Sequence, residues 1–203
     1  MNLFLHIPRC GGISILHSLS EIGIRVYVAD ENTKHKVSYD LADMIFGHFL
    51  VKEQLKHYSN FKLVTIIRDP IDMIVSNYKQ YKMKLKKNSK LREDVYYDKI
   101  SFEDYALSSE IQNMITRQFL YGVKIEDIDY IGSFDDLEKS YNKILNIFNV
   151  KKILSKPLKK FNSSSLVADP FISDNLRDKL KIVNKDDYEL YNFAVSKNNF
   201  LME

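Results

Sequence analysis

With 203 residues the chain has room for one folded domain and a proper core. Hydrophobic residues make up 45% and charged residues 28%, the balance of a soluble globular protein, and a formal net charge of +3 is too small to argue for nucleic acid by itself. A single cysteine, Cys10, excludes an intrachain disulfide and a cysteine-rich metal site, and no stretch approaches the ~20 apolar residues of a membrane span.

Met1-Asn2 leads straight into an apolar strand predicted over Asn2–Ile7, without the pattern of a signal peptide, so a cytoplasmic protein is expected. The strand ends in Pro8-Arg9-Cys10-Gly11-Gly12. The apolar period then changes, and Ile13, Leu16, Leu19 and Ile22 predict a helix opening after the glycines. A second strand fits Ile24–Val28, and Asp43–Phe49 holds a short apolar run broken by Gly47-His48. Phe61–Ile67 is β-branched and bounded by Arg68-Asp69-Pro70, the clearest strand in the chain.

Pro70 suits a helix start, and Ile71, Ile74, Val75, Tyr78 and Tyr81 continue a helical stripe. Lys82–Tyr97 is basic and poor in core residues, and reads as a mobile excursion. Helical patterns follow at Phe102–Ser108 and Ser109–Leu120, a strand at Ile128–Ile131 and an amphipathic helix at Phe134–Phe148. Lys151–Val167 reads as loop, and helices at Ile172–Ile182 and Lys185–Ala194 close the chain. Alternating strands and helices, with no internal repeat, predict a single α/β domain over residues 1–203 with a mostly parallel sheet flanked by helices.

Charge is unevenly spread. Seven Lys/Arg lie between Lys79 and Arg92 before the first acid, and five Lys between Lys151 and Lys160. Such runs read first as solvated surface, and second as a rim that attracts an anionic cofactor or acceptor.

A strand, a glycine turn and a helix N-terminus together make an anion site, because first-turn amides lack intrahelical acceptors and the helix dipole favours negative charge there. Gly11 and Gly12 allow close backbone approach, Ser14 adds a hydroxyl and Arg9 a permanent cation. A bare Gly-Gly turn is equally compatible with a simple tight turn. The signature of nucleotide triphosphatases is not met: Ile13-Ser14 stands where Lys-Ser/Thr would follow the glycines.

The segment Phe4-Leu5-His6-Ile7-Pro8-Arg9-Cys10-Gly11-Gly12-Ile13-Ser14 resembles the His-Ile-Pro-Lys-Thr-Gly-Gly-Thr-Ser loop of carbohydrate-type sulfotransferases, which use 3′-phosphoadenosine 5′-phosphosulfate (PAPS). Ile66-Ile67-Arg68-Asp69-Pro70, followed by Val75-Ser76-Asn77-Tyr78, resembles their second signature. The resemblance implies a three-layer, P-loop-like sulfotransferase fold. It implies that Arg9, Cys10, Gly11, Gly12, Ile13 and Ser14 bind the 5′-phosphosulfate, that Arg68 and Ser76 bind the 3′-phosphate, and that no metal is needed. Arg9, Cys10 and Ile13 stand where the family has Lys, Thr and Thr. Arg keeps the charge and forks onto phosphate or sulfate oxygens, but donates no proton at neutral pH.

Gly47-His48-Phe49 resembles the Gly-His segment that supplies the base in uronyl-type sulfotransferases, so His48 is the expected general base, with Arg9 stabilising the leaving group. The alternative for His48 is a histidine satisfied by a neighbour in a half-buried strand. His6 is expected to pack, and His17, His35 and His57 to be ordinary helix or loop residues. Gln112-Asn113, Thr116-Arg117, Tyr130–Phe134, Asn162–Ser164 and Leu190-Tyr191 extend the resemblance. Asn113 and Arg117, four apart on the predicted helix, are expected to share a face. Tyr78, Tyr81, Tyr96, Tyr97 and Tyr105 offer either an aromatic acceptor platform or core.

The expected function is transfer of a sulfuryl group to an acceptor hydroxyl. A carbohydrate or glycolipid is the acceptor the resemblance implies, with small metabolites left open. The competing readings are a non-catalytic PAP- or PAPS-binding module, a phosphotransferase with a degenerate phosphate loop, and, with no recognised module to support it, a nucleic-acid binder.

Overall fold

The computed structural model describes residues 1–30, 32–33, 35–38, 40–49, 51–83, 90–151, 157–158 and 167–200. The chain divides into two compact units, one of Met1–Arg68, Arg117–Phe161 and Ala194–Glu203, the other of Asp69–Thr116 and Asn162–Phe193.

The first unit is built on a five-stranded, all-parallel sheet. Its strands are β1 (Asn2–Leu5), β2 (Val26–Ala29), β3 (Met44–Gly47), β4 (Lys62–Ile67) and β5 (Tyr130–Ser133), in the order β2-β3-β1-β4-β5. β1, β3 and β4 are almost wholly buried, as expected of central parallel strands written as continuous apolar runs. Thr65, the polar exception in β4, donates its hydroxyl to the Leu5 carbonyl at 2.8 Å. Helix α1 (Gly12–Glu21) connects β1 to β2, the short α2 (Val51–Leu55) follows β3, and α6 (Leu137–Ile147) follows β5. From β1 the chain passes to one side of the sheet, and from β4 to the other. The carboxyl ends of β1 and β4 therefore frame a topological switch point, the place where open α/β sheets bind ligands.

The second unit is helical: α3 (Pro70–Met83), α4 (Lys90–Tyr96), α5 (Phe102–Ala106), α7 (Asp174–Val183) and the first part of α8 (Lys185–Phe200). Asp69 caps α3, accepting from the Ile71 and Asp72 amides at 2.9 and 3.1 Å, and Tyr188 donates its hydroxyl to the same carboxylate at 3.2 Å. Tyr105 is fully buried and belongs to the core, and the half-buried Tyr78 and Tyr81 pack against it at 5.3 and 5.7 Å. Tyr97 is exposed.

Three expectations need correcting. Ser109–Leu120 is not a continuous α-helix: it runs as turns into a π-helix over Ile115–Phe119, and Asn113 sits in the left-handed region at φ 49°. The cause lies about seventy residues away. The Asn113 amide donates to Asn184, its side chain bridges to Asp186, and the buried Asp187 carboxylate accepts from the Ile115 and Thr116 amides and the Thr116 hydroxyl. Asn113 and Arg117 consequently do not lie on one face of an α-helix. Lys82–Tyr97 is not wholly an excursion either, since α4 occupies its second half; residues 84–89 lie outside the described residues. Nor is the basic run simply solvated. Lys79 is buried and paired with Asp169 at 2.6 Å, Lys82 pairs with Asp98, and the Arg92 guanidinium lies 4.8 Å from the centre of the Tyr81 ring.

Asn162–Ser164 and most of Lys151–Val167 fall outside the described residues. Among those described, no helix is long and apolar enough to cross a membrane.

Candidate active site

The site grows from strand register. Leu5 pairs with Gly47 across β1 and β3, so the next residues, His6 and His48, emerge side by side. Their rings stack with centroids 4.6 Å apart, and His6 also stacks on Phe46 at 5.2 Å. Gly47 is required here. Its φ of 146° and the Ala29 carbonyl, 2.0 Å from where a Cβ would stand, leave no place for a side chain. In β4 and β5, Ile67 pairs with Ser133, which brings Arg68 beside Phe134 with the guanidinium 4.6 Å from the ring centre.

Between these ends lies the glycine turn. Cys10 donates its amide to Ile7 at 3.4 Å, and Arg9 and Gly11 both take left-handed conformations, at φ 66° and 82°. Gly11 is the N-cap of α1, whose ladder starts with the Ile15 amide on the Gly11 carbonyl at 3.2 Å. First-turn amides of an α-helix have no acceptor within the helix, and those of Gly12 and Ile13 stand at the positive end of the α1 dipole. A Cβ on Gly11 would stand 2.9 Å from Leu137 and 3.2 Å from Phe134, and one on Gly12 would enter the His6 ring at 2.0 Å. The two glycines therefore let the turn press against α6 on one flank and against His6 on the other.

Charge at the site is positive and partly desolvated. Burial lowers the Arg9 pKa, and the neighbouring Arg68 cation lowers it further. The two guanidinium groups thus stand within electrostatic reach of each other. Burial, then His48 and Arg9, push the His6 imidazole down to about 3, so this ring is neutral throughout the physiological range. His48 is half-buried.

The sequence-predicted residues Arg9, Cys10, Gly11, Gly12, Ile13, Ser14, His48 and Arg68 all lie at the carboxyl ends of β1, β3 and β4 in the first unit. Cys10 is buried, and Ser14 is buried while Ile13 is 59% exposed. Ser76 belongs to the second unit, buried on α3. The remaining histidines have ordinary surroundings: His17 lies beside Glu21 at 3.6 Å, His35 beside Tyr27 at 3.0 Å and His57 edge-on to Tyr58. Arg117 is exposed. Sequence reasoning missed Phe134 as a site residue; the signal that finds it is the parallel register of β4 and β5. Among the described residues no cluster of three or more His, Cys, Asp or Glu is placed to hold a metal.

A family profile described as "Sulfotransferase family" matches residues 3–194. The crystal structure of a sulfotransferase from Alicyclobacillus acidocaldarius superposes with a TM-score of 0.52 at 12% identity, covering 92% of this chain and 91% of that one. This likeness agrees with the three-layer, P-loop-like α/β fold. A mouse sulfotransferase, SULT7A1, complexed with PAP, overlays more loosely, with a TM-score of 0.41 at 12% identity over 90% of this chain and 62% of that one. No curated protein sequence matches the chain.

Proposed function

The chain belongs to the sulfotransferase family, and on that premise we propose that it transfers a sulfuryl group from PAPS to an acceptor hydroxyl, on a carbohydrate or glycolipid, with His48 as general base. The observation that carries this reading is the approach of the Arg9 and Arg68 cations at the ends of β1 and β4, beside a glycine turn that opens a helix. Two cations and a helix N-terminus suit a nucleotide that carries an anionic group at each end.

PAPS supplies the activated sulfuryl group when bound. The amides of Gly11, Gly12 and Ile13 and the Arg9 guanidinium face its 5′ end in this reading, and Arg9 offers positive charge where the leaving phosphate gains negative charge. Arg68 holds the 3′-phosphate, and the resemblance to the second signature gives Ser76 the same role. Two histidines stand together at the site, with ring centres 4.6 Å apart. His6, its pKa pushed down to about 3 mainly by burial, is too weak a base to take a hydroxyl proton at neutral pH, and the resemblance of Gly47-His48-Phe49 to the Gly-His segment gives that task to His48. No metal is invoked, and turnover is expected to survive chelation. The family match runs through both units, which favours one sulfotransferase domain over residues 1–203. A cytoplasmic location is part of the same proposal.

The test is PAP release from PAPS in the presence of carbohydrate, glycolipid and small-metabolite acceptors. Wild type is expected to turn over with at least one sugar-bearing acceptor, and His48→Ala to lose roughly 10²–10⁴-fold in rate with PAP affinity unchanged. Full activity in His48→Ala would refute the base assignment. One observation favours a second reading, a non-catalytic PAP-binding module: exposed, apolar Ile13 stands where the resembled loop carries a hydroxyl. Tight PAP binding with no turnover on any acceptor would select it.

A further inference from the structure

We propose that Phe134 is a positioning residue that sets the enzyme's preference for a 3′-phosphorylated nucleotide, by holding the Arg68 guanidinium over its ring. This rests on the reading of Arg68 as the 3′-phosphate ligand. Two independent contacts point to Phe134. Register places it beside Arg68, with the guanidinium carbon 4.6 Å from the ring centre. The same ring lies under the glycine turn, 3.2 Å from where a Gly11 Cβ would stand. A single half-buried aromatic face thus supports both anion-binding motifs. Its amide is anchored to the Ile67 carbonyl at 2.8 Å, so its position is fixed by the sheet rather than by a free loop.

A long arginine side chain loses rotamer freedom when it binds phosphate. Stacking on an aromatic face removes part of that freedom beforehand and fixes the plane in which the guanidinium fork presents its N–H groups. The neighbouring Arg9 cation repels Arg68, and the electron-rich ring face offsets that repulsion. The contact with Gly11 is of another kind, ordinary van der Waals packing that any branched apolar side chain of similar reach sustains. Leucine at 134 therefore keeps the turn's support and removes the cation–π contact, whereas tyrosine keeps both.

The experiment is calorimetric binding of PAP and 5′-AMP to wild type, Phe134→Leu, Phe134→Tyr, Arg68→Ala and the Phe134→Leu/Arg68→Ala double variant, with melting temperatures alongside. The PAP-over-AMP preference is expected to fall about 3- to 30-fold in Phe134→Leu, with AMP affinity and Tm held. Phe134→Tyr should stay within about 2-fold, and Phe134→Leu should add nothing in the Arg68→Ala background. An unchanged preference in Phe134→Leu while Arg68→Ala loses it would overturn the proposal. So would an equal effect in both backgrounds, or parallel losses of AMP affinity and Tm, which mark general packing. If Arg68→Ala itself keeps the preference, the 3′-phosphate reading of Arg68 fails first.

Discussion

Replacing Gly12 by alanine tests the packing of the site, because local and tertiary arguments predict opposite signs. Gly12 opens α1 with an ordinary backbone conformation, and there Gly→Ala usually stabilises by about 0.4–1 kcal/mol through the unfolded chain. The new Cβ, however, would lie 2.0 Å from His6 Cδ2 and Nε2 and 2.6 Å from Cε1. Reaching an ordinary carbon contact requires the ring or the helix end to move by about 1.5–2 Å. The ring is already stacked on His48 and Phe46 at 4.6 and 5.2 Å. Overpacking of this kind costs about 1–3 kcal/mol, and stacking on two rings puts the cost near the top of that range. The net expectation is a loss of about 2 kcal/mol, or roughly 4–8 °C in melting temperature for a chain of this size. Thermal denaturation of Gly12→Ala reads it, and His6→Ala in the same background should recover most of the loss. A melting temperature equal to or above wild type in Gly12→Ala alone would refute the reasoning.

Other consequences follow from single contacts. With the His6 pKa near 3 in the folded state and near 6.5 unfolded, the unfolded chain takes up this proton first, so His6 contributes stability above about pH 6.5 that is lost as pH falls toward 3. Stability measured against pH should decline over that window in wild type and decline less in His6→Gln; an identical slope in both contradicts the assignment. In the Lys79–Asp169 pair the ammonium is buried and the carboxylate largely exposed, so Asp169→Ala strands a cation while Lys79→Met does not. Chemical denaturation should show Asp169→Ala less stable than Lys79→Met by about 1–2 kcal/mol, and the reverse order would be wrong for a buried lysine.

The carboxyl end of the sheet was legible in sequence because its signals are local. A change of apolar period at Gly11-Gly12 marks β1 passing into α1, and the β-branched run before Arg68 marks β4. These two strands carry Arg9 and Arg68, so the site's position follows from them once the sheet order is known. What escaped reading depends on partners far along the chain. Nothing within Ser109–Leu120 announces that Asn184, Asp186 and Asp187 will draw off its amides and wind it into a π-helix. Lys79 looks like the start of a solvated basic run until Asp169, ninety residues on, is found beside it. The contact of Phe134 with Arg68, and of His6 with His48, is a matter of register between parallel strands, which a periodicity argument does not supply. Helix α2 is too short, at five residues, to show a period of its own.

The central claim is a site for a nucleotide bearing phosphate at both its 5′ and 3′ positions. Calorimetric titration of wild type with PAP, 5′-AMP and ATP, without added metal, tests it most directly. A clear preference for PAP over both comparators is expected, and equal affinity for all three would contradict such a site.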